Sequence, residues 1–111
     1  MSRAGVYMMV LLLAGCTISD EKKIIAKWQS DDVWYEYLAD RTYNSGRAYI
    51  TMVKGFKYNI DTKKKELTMY TDDTNQTYYL QYQFKGNDTL LLNNVLNTAP
   101  HFIAFYRVNN K

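Results

Sequence analysis

From Ile24 onward apolar residues recur at every second position, not at helical spacing. Phe56, Tyr58 and Ile60 alternate with Lys57 and Asn59, and Leu67 and Met69 alternate with Glu66, Thr68 and Tyr70. Tyr78, Leu80, Tyr82 and Phe84 alternate with Tyr79, Gln81 and Gln83. Successive side chains of a strand point to opposite faces, so each run buries one face and wets the other. Tyr, Phe, Thr, Val and Ile dominate the runs and suit a pleated, half-buried surface. Turn-forming clusters separate them: Ser30-Asp31-Asp32, Ala39-Asp40-Arg41, Asn44-Ser45-Gly46, Asp61 to Lys65, Thr71 to Asn75 and Lys85 to Asp88. Asn, Asp and Gly accept the left-handed or side-chain-bonded backbone that tight turns need. The pattern predicts strands over about 24–30, 33–38, 41–44, 47–53, 56–60, 66–70, 77–84, 88–93 and 101–108, the piece at 41–44 merging with a neighbour.

Eight or nine short strands joined by tight turns make an antiparallel meander. Left flat, such a sheet exposes two edges and one apolar face. Closure removes the edges, so the expected fold is all-β, a small meander barrel of about eight strands. Eight strands enclose an interior that side chains can fill or that holds one small ligand. Short strands favour a largely filled interior, and a two-sheet sandwich is the alternative architecture.

Residues 1–23 break the pattern. Arg3 is followed by a run without charge from Ala4 to Ser19, apolar through Leu13, with Ala14 and Gly15 before Cys16. A basic start, an apolar core and small residues are the order of a cleaved secretory signal. The uncharged run is shorter than the roughly 20 residues a membrane-spanning helix needs. Leu13-Ala14-Gly15-Cys16 resembles the bacterial lipobox. That resemblance implies a diacylglyceryl group on Cys16, cleavage just before it, and acylation of the new amino terminus, commonly by palmitate. Two or more acyl chains hold a protein stably at a membrane. The competing readings are a plain secreted protein or an apolar helix with a buried thiol. The expected division is a signal at 1–15, a lipidated tether at 16–23 reaching at most about 25 Å, and a barrel at 24–111. In Gram-negative lipoproteins an Asp after the lipidated Cys favours inner-membrane retention, so if the cell is Gram-negative the lipobox resemblance with Thr17 implies the outer membrane.

Composition narrows the function. The chain has 111 residues, enough for one domain, and Cys16 is its only cysteine, so no intramolecular disulfide forms. A single histidine, His101, leaves no His-cluster metal site and argues against a His-dependent triad. The net charge of +3 is too small to imply nucleic acid. Asp31-Asp32 and Asp72-Asp73 lie in turn clusters and fit no calcium-loop pattern. Lys63-Lys64-Lys65 reads as a solvated hairpin tip. No catalytic residue, metal or cofactor is assigned. The unusual feature is 11 tyrosines. Tyr78, Leu80, Tyr82 and Phe84 share one expected inner face and form the candidate pocket for a sugar or small amphiphile. Tyr35, Tyr37 and Tyr79 form a second layer or an exposed patch.

Ile24-Ile25-Ala26-Lys27-Trp28 and Phe105-Tyr106-Arg107 resemble the first-strand and last-strand elements of small lipocalin-like lipoproteins of bacteria, with Ala26 in the usual glycine position. The resemblance covers nearly all of the chain after Cys16. It implies that Trp28 closes one end of the barrel beneath the Arg107 guanidinium. Ser45-Gly46-Arg47-Ala48-Tyr49 is similar to the Ser-Gly-x-x-Tyr loop of the bacterial c-type lysozyme inhibitors, whose disulfide cysteines this chain lacks. The expected function is a non-catalytic, lipid-anchored binding or interaction protein of the cell envelope. Its partners would be the membrane, through the lipid on Cys16, and an unknown protein or small amphiphilic ligand. The alternative is a lysozyme-inhibitor-like protein acting through a loop from Asn44 to Tyr49.

Overall fold

The computed structural model describes residues 18–71, 77–94 and 101–109. Leu13, Ala14, Gly15 and Cys16 lie outside the described residues, as do Thr17, Asp72 and Asp73. The alternating runs form eight strands: β1 (Lys27–Ser30), β2 (Val33–Tyr37), β3 (Thr42–Arg47), β4 (Ile50–Asp61), β5 (Glu66–Tyr70), β6 (Thr77–Lys85), β7 (Thr89–Asn94) and β8 (Ile103–Arg107). They pair antiparallel in sequence order and close into a barrel. The closing ladder joins Trp28 to Arg107 and Gln29 to Tyr106.

Residues 41–60 fold differently from the sequence expectation. Three expected runs become two strands, because Asn44-Ser45-Gly46 is not a turn. Glu36, Tyr35 and Trp34 of β2 pair with Asn44, Ser45 and Gly46, while Val53 and Thr51 of β4 pair with Ser45 and Gly46. Register shifts on either side of Ser45 absorb the extra residues as bulges. The Gly55 N–H donates to Asn44 Oδ1 at 2.9 Å, with Gly55 at φ 75°, a conformation glycine takes without steric cost. The turn lies instead at Ala48-Tyr49, with Ala48 at φ 50°. The expected inhibitory loop is therefore corrected: Ser45 and Gly46 are strand residues between two neighbours, and only the Ala48-Tyr49 apex projects.

The expected tether is also corrected in part. Asp20–Lys23 forms one helical turn, α1, and β1 begins at Lys27 rather than Ile24. The Ser19 carbonyl accepts from the Lys22 and Lys23 N–H groups, and Asp20 and Glu21 lead with Lys22 and Lys23 behind, the order the helix dipole favours. The turn is bound to the barrel. Asp20 Oδ2 accepts from Lys65 Nζ at 2.7 Å and from the Tyr82 hydroxyl at 2.8 Å, and Arg41 pairs with Glu21. Ile24, just after the turn, is wholly buried. Burying an Ile contributes about 1.5–3 kcal/mol, whereas an exposed ion pair such as Arg41–Glu21 contributes about 0–1 kcal/mol. Apolar burial thus holds this segment, and the ion pairs set its register.

α1 and the turns at 38–41, 62–65 and 86–88 occupy one end of the barrel, the closed end. Trp28, Tyr37, Leu67 and Leu90 are fully buried in the core. The Trp28 indole N–H donates to the Ile24 carbonyl at 3.0 Å, and its ring lies 5.9 Å from Phe84. Tyr37 meets Tyr58 edge-on at 5.0 Å and directs its hydroxyl to the Met69 sulfur at 3.4 Å. No described helix is long and apolar enough to cross a membrane.

Gly46 is the backbone position that the β3–β4 hairpin cannot exchange. A Cβ there would lie 2.0 Å from the Ile50 carbonyl oxygen and 2.9 Å from the Trp34 ring. The first contact is with backbone, so relief requires strand movement. Gly46→Ala is expected to destabilise the protein by about 1–3 kcal/mol in a urea unfolding titration, with Gly86→Ala, whose Cβ meets open space but whose φ is 69°, as the comparison for backbone strain alone.

Candidate functional site: the mouth of the barrel

The end opposite α1 is hollow. A cavity of about 410 Å³ opens there, within the range of small-molecule sites. β2 and β3 supply Tyr35, Tyr43 and Ser45; β4 and β5 supply Val53 and Met69; Thr71, Tyr78, Leu80 and Asn94 complete the wall. A smaller cavity of about 160 Å³ shares Tyr35, Leu80 and Asn94 and adds Leu92, His101, Ile103 and Phe105. The two together combine tyrosine, serine and amide groups with aliphatic and phenyl groups.

The described lining of the larger cavity consists of uncharged side chains. Among the described residues no Asp, Glu, Lys or Arg lines either cavity. Burial raises the pKa of Tyr35, helped by the phenol of Tyr78. Burial, followed by the phenols of Tyr35 and Tyr78, pushes Tyr43 up to about 12. The Tyr43 hydroxyl donates to the Tyr70 carbonyl at 2.9 Å. The hydroxyls of Tyr35, Ser45 and Tyr78 have no hydrogen-bond partner among the described residues. A ligand with hydroxyl, carbonyl or amide groups would find donors and acceptors there, beside apolar walls.

The four-residue stripe expected on the sixth run is divided between the two ends. Tyr78 and Leu80 line the mouth, Tyr78 half exposed. Tyr82 and Phe84 do not. They lie toward the closed end, where Tyr82 is buried against Asp20 and Phe84 meets Trp28 at a tilt beneath Lys23 Nζ, 5.1 Å from the ring centroid. The reason is length: nine residues of β6 rise about 30 Å and traverse the whole barrel. Tyr35 and Tyr37 face inward, whereas Tyr79 is exposed.

Trp28 and Arg107 are ladder partners, but the expected stacking is corrected. Arg107 is exposed, and the indole is covered by Phe84 and the Ile24 carbonyl. Cations do lie over rings elsewhere: Lys27 over Trp34 at 4.4 Å and Lys65 over Tyr82 at 5.7 Å. The His101 N–H donates to Asn93 Oδ1 at 3.0 Å, and Asn93 Nδ2 donates to Gln81 at 3.1 Å. Asp31 and Asp32 sit in the β1–β2 turn, and Asp32 lies 3.5 Å from Arg47. Among the described residues no His, Cys, Asp and Glu group could hold a metal.

A second depression of about 480 Å³ lies beside Asp20, Lys64, Lys65 and Tyr82. Its central polar atoms already satisfy one another, and partial burial there pushes the Asp20 carboxyl up. The hydrogen bonds from Lys65 and Tyr82 and the charges of Lys65 and Lys23 outweigh that, so its pKa is lowered. This is a structural clamp, and the mouth is the better candidate. Tyr43 and Val53 carry no sequence signal that singles them out, Tyr35 is expected only in a second layer or patch, and Ser45 only in the inhibitory loop; the structure brings all four to the mouth.

The tyrosines set an alkaline limit. Tyr37 is raised well above its ordinary value by complete burial and then by the phenols of Tyr35, Tyr43 and Tyr58. A folded-state pKa above the unfolded one means that stability is fully present below about pH 10. It is lost as pH rises from there through the folded values, which for Tyr43 is about 12. Absorbance titration should show the phenols of Tyr37 and Tyr43 ionising together with loss of near-ultraviolet dichroism. No family model, curated protein or solved structure matches this chain.

Proposed function

We propose that the protein is a non-catalytic, lipid-anchored binding protein of the cell envelope, a small lipocalin-like lipoprotein held at the membrane through Cys16. Thr17 favours the outer membrane. The observation that carries the reading is polarity along the barrel axis. The chain enters at the closed end, where Asp20 is bonded to Lys65 and Tyr82 and Ile24 is buried, and the cavity opens at the other end. A tether at one end leaves the mouth at the opposite end unobstructed by the chain's own attachment. The ligand class that fits is a small amphiphile, its hydroxyl or amide groups at Tyr35, Ser45 and Tyr78 and its apolar part against Val53, Leu80 and Phe105. Among the described residues the larger cavity offers a charged ligand no partner of opposite charge, and a charge taken from water without a partner pays a large desolvation cost.

Mass spectrometry of the mature protein tests the anchor. The amino-terminal peptide is expected to begin at an acylated Cys16, and Cys16→Ser is expected to accumulate as uncleaved precursor. An uncut wild-type chain with a free thiol refutes the anchoring. The cavity is tested by extracting purified protein with organic solvent. A neutral small molecule is expected to accompany the wild type in stoichiometric amount and to fall at least about tenfold in Val53→Trp, in which the indole fills the mouth, a change of about 1.4 kcal/mol or more in binding.

A further inference from the structure

The apex of the β3–β4 hairpin takes part in neither the mouth nor the clamp. Tyr49 is fully exposed, and Ile50 and Met52 on the outward face of β4 are 67% and 68% exposed. Three large apolar residues side by side at a turn depart from the polar composition that turns usually have. The fold holds them there. The Trp34 indole N–H donates to the Ala48 carbonyl at 3.0 Å, and the Ala48 N–H donates to the Asp32 carbonyl at 2.6 Å. Gly46 allows the strand to close onto the Trp34 ring. Ala48 takes a left-handed φ that a residue with a Cβ seldom adopts. The apolar apex is thus fixed in water by contacts beneath it.

Charge is graded along the same hairpin. From Arg41 to Ile60 the chain carries Arg41, Arg47, Lys54 and Lys57 and no carboxylate side chain. Arg41 is paired with Glu21, and Arg47 lies near Asp32. Lys54 and Lys57 are exposed and have no ion-pair partner among the described residues. Lys54 follows Met52 on the outward face, about 7 Å back along the strand. The order from the apex is therefore aromatic, aliphatic, then cationic.

We propose that this hairpin tip enters the headgroup layer of an anionic phospholipid surface, with Tyr49, Ile50 and Met52 at the acyl boundary and Lys54 and Lys57 among the phosphates. A membrane interface has the same gradient, apolar within and anionic outside, and tyrosine is favoured at that level. A contact of three side chains and two cations is weak alone. The tip is at the mouth end and the anchor at the closed end, so both meet one surface when the barrel axis lies along it. The anchor keeps that surface at high effective concentration, and in that respect the contact rests on the lipidation of Cys16.

Oxidation of Met52 by dilute hydrogen peroxide reads the contact without engineered labels. The mature protein is placed in vesicles of phosphatidylcholine alone, or of phosphatidylcholine mixed with phosphatidylglycerol, and sulfoxide is followed by peptide mass. Met69, 3% exposed, is the internal reference. Met52 is expected to oxidise several-fold more slowly on the anionic vesicles. Lys54→Glu combined with Lys57→Glu is expected to restore the rate seen on neutral vesicles, with Met69 unchanged. Equal rates on the two membranes overturn the proposal. Slowing that grows with protein concentration and ignores lipid charge puts a second copy on the apex and also overturns it. The amino-terminal peptide of the same digest reports acylation of Cys16, so loss of the anchor and loss of the tip contact are read separately. If Cys16 is unacylated, the protein is added to the same vesicles from outside and the same comparison decides.

Discussion

The seam between β1 and β8 is the constraint on which the rest of the structure depends. Two ladder pairs, Trp28 with Arg107 and Gln29 with Tyr106, and the Val108 N–H donating to the Lys27 carbonyl at 2.8 Å, join the ends of the chain. Without them β1 and β8 would be open edges and the inward faces would form one exposed apolar surface. With them, strand number fixes the diameter. An interior of that width has room for large rings, and the chain fills it from one end only. Trp28, Tyr37, Tyr58, Tyr82 and Phe84 pack the closed end with Ile24, whereas at the mouth Tyr35, Tyr43 and Tyr78 stand among the smaller Ser45, Val53 and Leu80 around a cavity.

The fold class was legible because alternation is a local signal that tertiary structure did not override. The runs at 66–70 and 77–84 appear as β5 and β6 nearly unchanged. What misled was turn chemistry. Asn44-Ser45-Gly46 has the composition of a turn, yet Gly46 serves close approach to Ile50 and Trp34, and Asn44 caps a bulge at Gly55. Asp20 to Lys23 looked like a polar tether, yet its helical turn depends on Lys65 and Tyr82, distant in sequence.

The site was legible by residue type but not by position. Period two identifies the inward face of β6, and it cannot tell which half of a traversing strand meets packing and which meets space. Tyr78 and Tyr82 share that face, and one lines a cavity while the other is clamped to Asp20. The partition between a filled end and a hollow end arises from the sum of side-chain volumes at each level of the barrel, a quantity spread over eight strands. Trp34 shows the converse. It lies on the outer face and is nonetheless 6% exposed, because the hairpin apex and Lys27 cover it.

Closure of the barrel is most directly tested by nuclear Overhauser spectroscopy across the seam. Trp28 and Arg107 face each other, and the neighbouring pair Lys27 and Val108 is hydrogen-bonded. In an antiparallel ladder their Cα atoms then lie about 4.5 Å apart, and a strong cross-peak between the Hα protons of Trp28 and Arg107 is expected. Absence of that cross-peak, with the Val108 amide exchanging as fast as an exposed one, would show β1 and β8 to be free edges and contradict the closed barrel.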